Sequence, residues 1–285
     1  MLEIKNEFLS VEVDIKGAQL THVINNSTGF DYIWNGDAWP KHAPILFPSI
    51  GRSTNDEYLV GDVKYPMPQH GFVSDYDFEI VKKQDDELTL SFSSNNETFQ
   101  SYPFCFTLTV SYKLENNQLL VNFEVQNNSD CSLSYALGFH PAFKLKQDFE
   151  SHALEVSPSY SQLEQYEIVK NPYPYRSGKI KNFKVEGSKF ALKHALFEEG
   201  LVIITNKINE VSLQGLGYEV KMNLEDFSNL CLWTKEDKEL SFLCMEPFVG
   251  LPDKINEVQE INKKEMNAHL NARDHAHYKV TLSFD

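Results

Sequence analysis

Arginine is almost absent from this chain, with only Arg52, Arg176 and Arg273. Planar, bidentate phosphate recognition is usually built from arginine, so a dedicated phospho-ligand site is disfavoured, although lysines can supply the charge. Positive charge is scarce in general: 26 Lys and Arg face 41 Asp and Glu, for a net charge of −15. That balance argues against nucleic acid or an anionic membrane as partner, since both need a positive surface. Cysteine is sparse too. Cys105, Cys131, Cys231 and Cys244 are widely spaced, with no C-x-x-C and no zinc-like cluster, and they read as buried, reduced thiols. No apolar run approaches a membrane span, and residues 1–7 lack a leader's basic flank and apolar core, so a soluble cytoplasmic protein is expected. Phosphate-cradling glycine loops, dinucleotide fingerprints and nucleophile elbows are missing as well, and no cofactor is expected.

Alternation is what the chain has in quantity. Leu9, Val11, Val13 and Ile15 fall on one side of a predicted strand that stops at Gly17. The runs Phe104–Tyr112 and Leu119–Val125 alternate around Glu115-Asn116-Asn117, which reads as an antiparallel hairpin with one dry face. Tyr278, Val280, Leu282 and Phe284 make a closing strand, and residues 253–261 form the one helix candidate. No repeat or linker divides the chain. The reading is a single all-β domain over residues 1–285, a large antiparallel β-sandwich or barrel.

Four polar residues share one context. Arg52, His70, His140 and Glu246 each follow an apolar or proline-bearing run and lie beside a proline or glycine that shapes the backbone. Glu246 interrupts Leu240–Gly250, a run with seven large apolar or Cys residues out of eleven, and Pro247 behind it favours extended geometry. A histidine in such a place is ordinarily a hydrogen-bonded core or loop residue, so the four carry chemistry only if the fold brings them together. Together they would supply a carboxylate and an imidazole for proton exchange with a neutral substrate, and an arginine for an oxygen that gains charge. His70, His140 and Glu246 also contain the elements of a two-His, one-carboxylate metal triad, but no short His-x-His pairing joins them, and no metal is expected. His275-Ala276-His277 is such a pairing, set among polar residues and read as solvent-facing. Trp34, Trp39, Phe72, Phe139 and Phe248 read mainly as core.

These stretches resemble the aldose 1-epimerase (galactose mutarotase-like) family, in particular its LacX-like branch of shorter bacterial proteins. The resemblance rests on His42-Ala43-Pro44-Ile45-Leu46-Phe47-Pro48 running to Gly51-Arg52, on Pro68-Gln69-His70-Gly71-Phe72, on Gly138-Phe139-His140-Pro141-Ala142-Phe143, and on Cys244-Met245-Glu246-Pro247-Phe248-Val249-Gly250. It implies a β-supersandwich and cofactor-free interconversion of the α and β anomers of a hexose. In that scheme Glu246 is the base for the anomeric hydroxyl, His140 the acid for the ring oxygen, and Arg52 and His70 hold sugar oxygens. Glu246 would have to be ionised, its apolar surroundings offset by neighbouring donors. Two departures stand out. Phe248 takes the place of a more usual Trp, and the family's further sugar-binding carboxylate should fall near Leu196–Gly200, where Glu199 is the nearest substitute. The alternatives are a hexose-6-phosphate 1-epimerase and a non-catalytic sugar-binding protein of the same fold.

Overall fold

Period-two alternation sets the longest strands. A computed structural model describes every residue except 236–240 and 257, so Leu240 and the charged turn before it lie outside the described residues. Phe106–Glu115 and Gln118–Asn127 pair antiparallel in unbroken register, and His275–Phe284 lies along the second of them. Even positions of Phe106–Leu114 and odd positions of Leu119–Asn127 point inward and are buried. These strands form the middle of a nine-stranded antiparallel sheet running from Lys189–Ala191 at one edge to Glu79–Lys83 at the other.

A second, eight-stranded sheet faces it. Its order is Tyr175–Asn182, Glu164–Val169, Leu201–Ile204, Asn229–Trp233, Phe242–Val249, Leu137–Phe139 and Ile45–Leu46, with Ala142–Lys144 also pairing to Phe242–Val249. The two sheets meet through interdigitated side chains such as Phe123 and Phe139, whose ring centroids lie 5.9 Å apart. Val110, Val121, Val280, Leu232, Leu243 and Met245 are fully buried in the same layer. Burying each such side chain contributes about 1.5–3 kcal/mol. The all-β sandwich expected from the sequence is the observed architecture.

Every residue of Phe242–Val249 is buried, which explains why its alternation is hidden in the sequence. Leu243, Met245 and Val249 join the central core, while Phe242, Cys244 and Phe248 belong to two smaller apolar groups on the other face. A strand covered on both faces reads as one continuous apolar run.

Several local expectations change. Residues 253–261 form no α-helix among those described. Asp253 O accepts from Arg176 N (3.1 Å) and Ile255 N donates to Arg176 O (3.0 Å), so the backbone groups a helix needs are used in a long-range bridge. A single 3₁₀ turn follows at Ile261–Lys263. The strand Leu2–Lys5 and the hairpin Glu57–Val60/Val63–Pro66 carry no clear alternation, because each has one fully buried residue, Ile4 or Tyr58. Of the four thiols, Cys231 and Cys244 are buried as expected, whereas Cys105 is half-buried and Cys131 exposed; all four are unpaired.

Candidate active site

Leu137↔Val249 and Gly138↔Phe248 pair at one end of the central strand, and Ala142↔Cys244 and Phe143↔Leu243 at the other. Both segments share one register, and carrying it through the gap sets His140 opposite Glu246. The ladder breaks there because Pro141 and Pro247 lack the N–H groups that would continue it; Met245 N still donates to Pro141 O at 3.3 Å. Directly opposed residues share a sheet face with Cβ atoms about 5 Å apart. His140 Nε2 and Glu246 Oε1 are accordingly 3.4 Å apart, with both side chains buried. On the far side of the strand Cys231 is the register partner of Glu246.

Burial sets the charge state of this pair. Glu246 is pushed up to about 8, chiefly by loss of water and only partly offset by a hydrogen bond from the Cys231 thiol. His140 is held well below the ordinary imidazole value, first by burial and then by competition with the neighbouring His70 ring and the Lys41 charge. Burial disfavours the charged form of both groups, so in the open site the pair's one proton is favoured on Glu246. The sequence expectation that neighbouring donors offset the burial of Glu246 is met here by one weak donor, the Cys231 thiol. His140 Nδ1 is buried with no protein hydrogen-bond partner among the described residues, so no neighbour locks its tautomer.

Two loops cover this face of the sheet. His70 N donates to Gly51 O at 2.7 Å, and Gly51 N donates to His70 Nδ1 at 3.2 Å. The second bond fixes a neutral imidazole with its proton on Nε2, in keeping with a pKa lowered to about 4 by burial and by Lys41. The His70 ring meets the His140 ring edge-on at 5.7 Å. His70 has a left-handed φ of 68° and Gly71 one of 77°, and a Cβ on Gly71 would stand 2.0 Å from Phe47 O. Only glycine fits that approach. Arg52 reaches the mouth of the cavity, its guanidinium 3.9 Å from the Tyr173 ring centroid and 3.4 Å from Asp56.

The result is a cavity of about 490 Å³ lined by Arg52, His70, His140 and Glu246 with Trp39, Lys41, Gln69, Trp233 and Phe248. Its size lies within the usual range of small-ligand pockets, about 300–1,000 Å³. Trp39 stacks on His140 with centroids 5.2 Å apart and planes 28° apart. The chemistry available is proton exchange between two buried groups, flanked by neutral and cationic donors.

The family model described as aldose 1-epimerase matches residues 1–270. The chain belongs to the aldose 1-epimerase family. A galactose mutarotase-like protein from Lactobacillus casei is 35% identical, each chain covered in full, with a TM-score of 0.96. A galactose mutarotase related enzyme from Lactobacillus acidophilus is 27% identical with a TM-score of 0.92, covering 100% of this chain and 97% of that one. The plasmid protein LacX of Lactococcus lactis is 29% identical over 90% of each chain.

Within this family member the four residues singled out from sequence context meet in one cavity, although they span positions 52 to 246. Glu199 does not join them: it pairs with Lys181 and lines a separate small cleft. Among the described residues Glu246 is the one carboxylate in the cavity wall. Trp39 and Phe248, read as core, line the cavity; Phe72 and Phe139 are buried core, and Trp34 packs on Phe242. His275 and His277 are exposed on the last strand, as expected. His140, Cys244 and Glu246 offer metal-ligand atoms within 4.8 Å of one another, a different trio from the one the sequence suggested. Burial holds the Cys244 thiol well above its usual pKa, which disfavours the thiolate a metal needs. Lys41, Gln69, Trp233 and Cys231 were not singled out by sequence reasoning. A register count across the Cys231 and Glu246 strands would have found the thiol.

Proposed function

We propose that the protein is an aldose 1-epimerase acting on a free hexose, with Glu246 and His140 as its acid–base pair. The observation that carries this reading is the opposed, buried His140–Glu246 pair, 3.4 Å apart on the wall of a sugar-sized cavity. Sugar hydroxyls entering the cavity bring donors to the Glu246 carboxylate, which favours its ionised form and moves the single proton to His140. Glu246 then takes the proton of the anomeric hydroxyl while His140 gives its proton to the ring oxygen. The C1–ring oxygen bond breaks, its electrons go to the ring oxygen, and C1 becomes the aldehyde carbon. This leaves Glu246 protonated and His140 neutral, the same proton distribution as the empty site. Rotation about the C1–C2 bond and reversal of both transfers close the ring on the other face. His70 Nε2–H and Arg52 hold sugar oxygens, and Trp39 offers an apolar face to the ring.

Polarimetry of fresh α-glucose and α-galactose tests the reading. Wild-type protein accelerates the decay of rotation, and Glu246→Gln and His140→Asn lose the acceleration by about 10² to 10⁴-fold. Full activity in folded Glu246→Gln sinks the mechanism. Sugar binding by calorimetry without rate enhancement favours a non-catalytic binding protein instead.

A second reading is favoured by Lys41 and Arg52, which place two cations at the cavity, where the scarcity of arginine in the sequence had argued against an anionic substrate. Both suit a 6-phosphate on the same pyranose. Faster turnover of glucose 6-phosphate than of glucose would put the hexose-6-phosphate first. Four unpaired thiols are in keeping with a cytoplasmic setting, and no helix among the described residues is long and apolar enough to cross a membrane.

A further inference from the structure

Beneath the Arg52 loop lies a group of buried charges that the proton transfers do not use. Lys264 Nζ and Asp253 Oδ1 stand 2.6 Å apart, and both side chains are buried. Removing two charges from water opposes folding unless further hydrogen bonds satisfy them. Here those bonds all reach the residues that follow Arg52. Lys264 Nζ donates to Ser53 Oγ at 2.9 Å, and Asp253 Oδ2 accepts from Thr54 N at 3.0 Å. The opposite side of Arg52 is tied to the same region. Tyr173, on which the guanidinium rests, lies three residues before Arg176, whose Nε donates to Pro252 O at 2.7 Å and whose Nη1 pairs with Glu265 at 3.0 Å. Tyr175 OH also donates to Ser53 O at 3.3 Å.

We propose that Asp253 and Lys264 are positioning residues for Arg52, a buried ionic clamp that sets where its guanidinium stands over the sugar. The inference rests on the sugar-epimerase reading above. An ion pair retained only for stability would have no reason to spend both partners on the two residues after a substrate-holding arginine. The clamp acts on sugar binding and leaves the proton-transfer pair alone, because neither of its charges lines the main cavity.

The test is Lys264→Met, together with a double variant, Asp253→Leu with Lys264→Met, that removes both charges and leaves no lone buried ion. Hexose KM by polarimetry and Kd by calorimetry are expected to rise about tenfold in each, with kcat within about threefold and the alkaline limb of the pH profile unmoved. In an Arg52→Ala background the same substitution is expected to change KM by less than about threefold, a non-additivity that a purely structural role would not produce. The double variant keeps the fold testable if the single one melts early. Wild-type KM in the folded double variant, a loss confined to kcat, or full additivity with Arg52→Ala overturns the clamp while leaving the epimerase reading intact. If wild-type protein binds a hexose without turnover, the Kd comparison decides. A tenfold loss supports the clamp, and unchanged affinity, or no hexose binding at all, overturns it.

Discussion

His140 and Glu246 occupy opposed positions on neighbouring antiparallel strands, and each is followed by a proline. The prolines remove the two N–H groups that would otherwise bond across the ladder beside the pair. The side chains are thus aimed by a rigid sheet, while the carbonyls that would accept from the two missing N–H groups lose those strand bonds. Four predictions follow from this arrangement and the loops above it.

The pH dependence of kcat/KM is set by the number of protons on the pair. One proton gives one acid and one base; two leave no base, and none leaves no acid. Burial pushes Glu246 to about 8 and lowers His140. Activity should therefore be flat through neutrality and fall as pH rises above about 8. A second decline should come only well below the ordinary imidazole range. The apparent values belong to the pair and not to either residue alone. An alkaline limb absent up to pH 10 would contradict this.

Stability carries the opposite signature. Glu246 is raised from 4.5 to about 8 on folding. Below the lower value it is neutral in both states, so nothing is lost. Between the two values the unfolded chain ionises and the folded one does not, so stability falls with rising pH, by on the order of 3 kcal/mol at pH 7. Above about 8 the deficit is constant. Glu246→Gln removes this dependence, and its melting midpoint should match wild type near pH 4 and exceed it at pH 8. Equal midpoints at both pH values would show that the carboxyl is not strained in the fold.

Gly71→Ala should be severe although the site chemistry is untouched. A Cβ there meets Phe47 O at 2.0 Å, and φ is 77°. Backbone strain and overpacking together cost on the order of 3 kcal/mol, or about 5 °C in the melting midpoint. Calorimetry of the purified variant measures it directly, and a shift under about 2 °C would refute the packing argument.

Trp39→Ala should weaken sugar binding by about three- to tenfold, the worth of one aromatic contact, and lower kcat as well, because His140 loses the ring it stacks on. Trp39→Phe should restore most of both. A kcat unchanged in Trp39→Ala would separate the stacking from the chemistry.

The fold class, the central hairpin and the closing strand were legible because one face of each is wet, and the alternation survives in the sequence. Phe242–Val249 hides its alternation because both faces are dry, so Glu246 looked stranded when it lies on the cavity-facing side of a strict period of two. The four site residues were visible through their prolines and glycines. Lys41 and Trp39 were not, since the loop that carries them has no period and is held in place by long-range packing of Trp39 on His140, Trp233 and Phe242. The Asp253–Lys264 pair was hidden for a different reason. Nothing in the sequence beside either residue marks it as buried, and the hydrogen bonds that tie the pair to Ser53 and Thr54 are long-range.

The central strand constrains how this protein can diverge. Its residues serve the core and the cavity by turns, so a single insertion or deletion between Phe242 and Glu246 would send Met245 or Pro247 into the cavity and turn the carboxylate toward Phe139 and Leu232. Drift along that strand is confined to substitutions and to length changes of two, whereas a length change in the loops bearing Trp39, Arg52 and His70 leaves the register of His140 against Glu246 unchanged. New sugar specificities are therefore open to this scaffold through its loops, with the strand as the part that stays the same length.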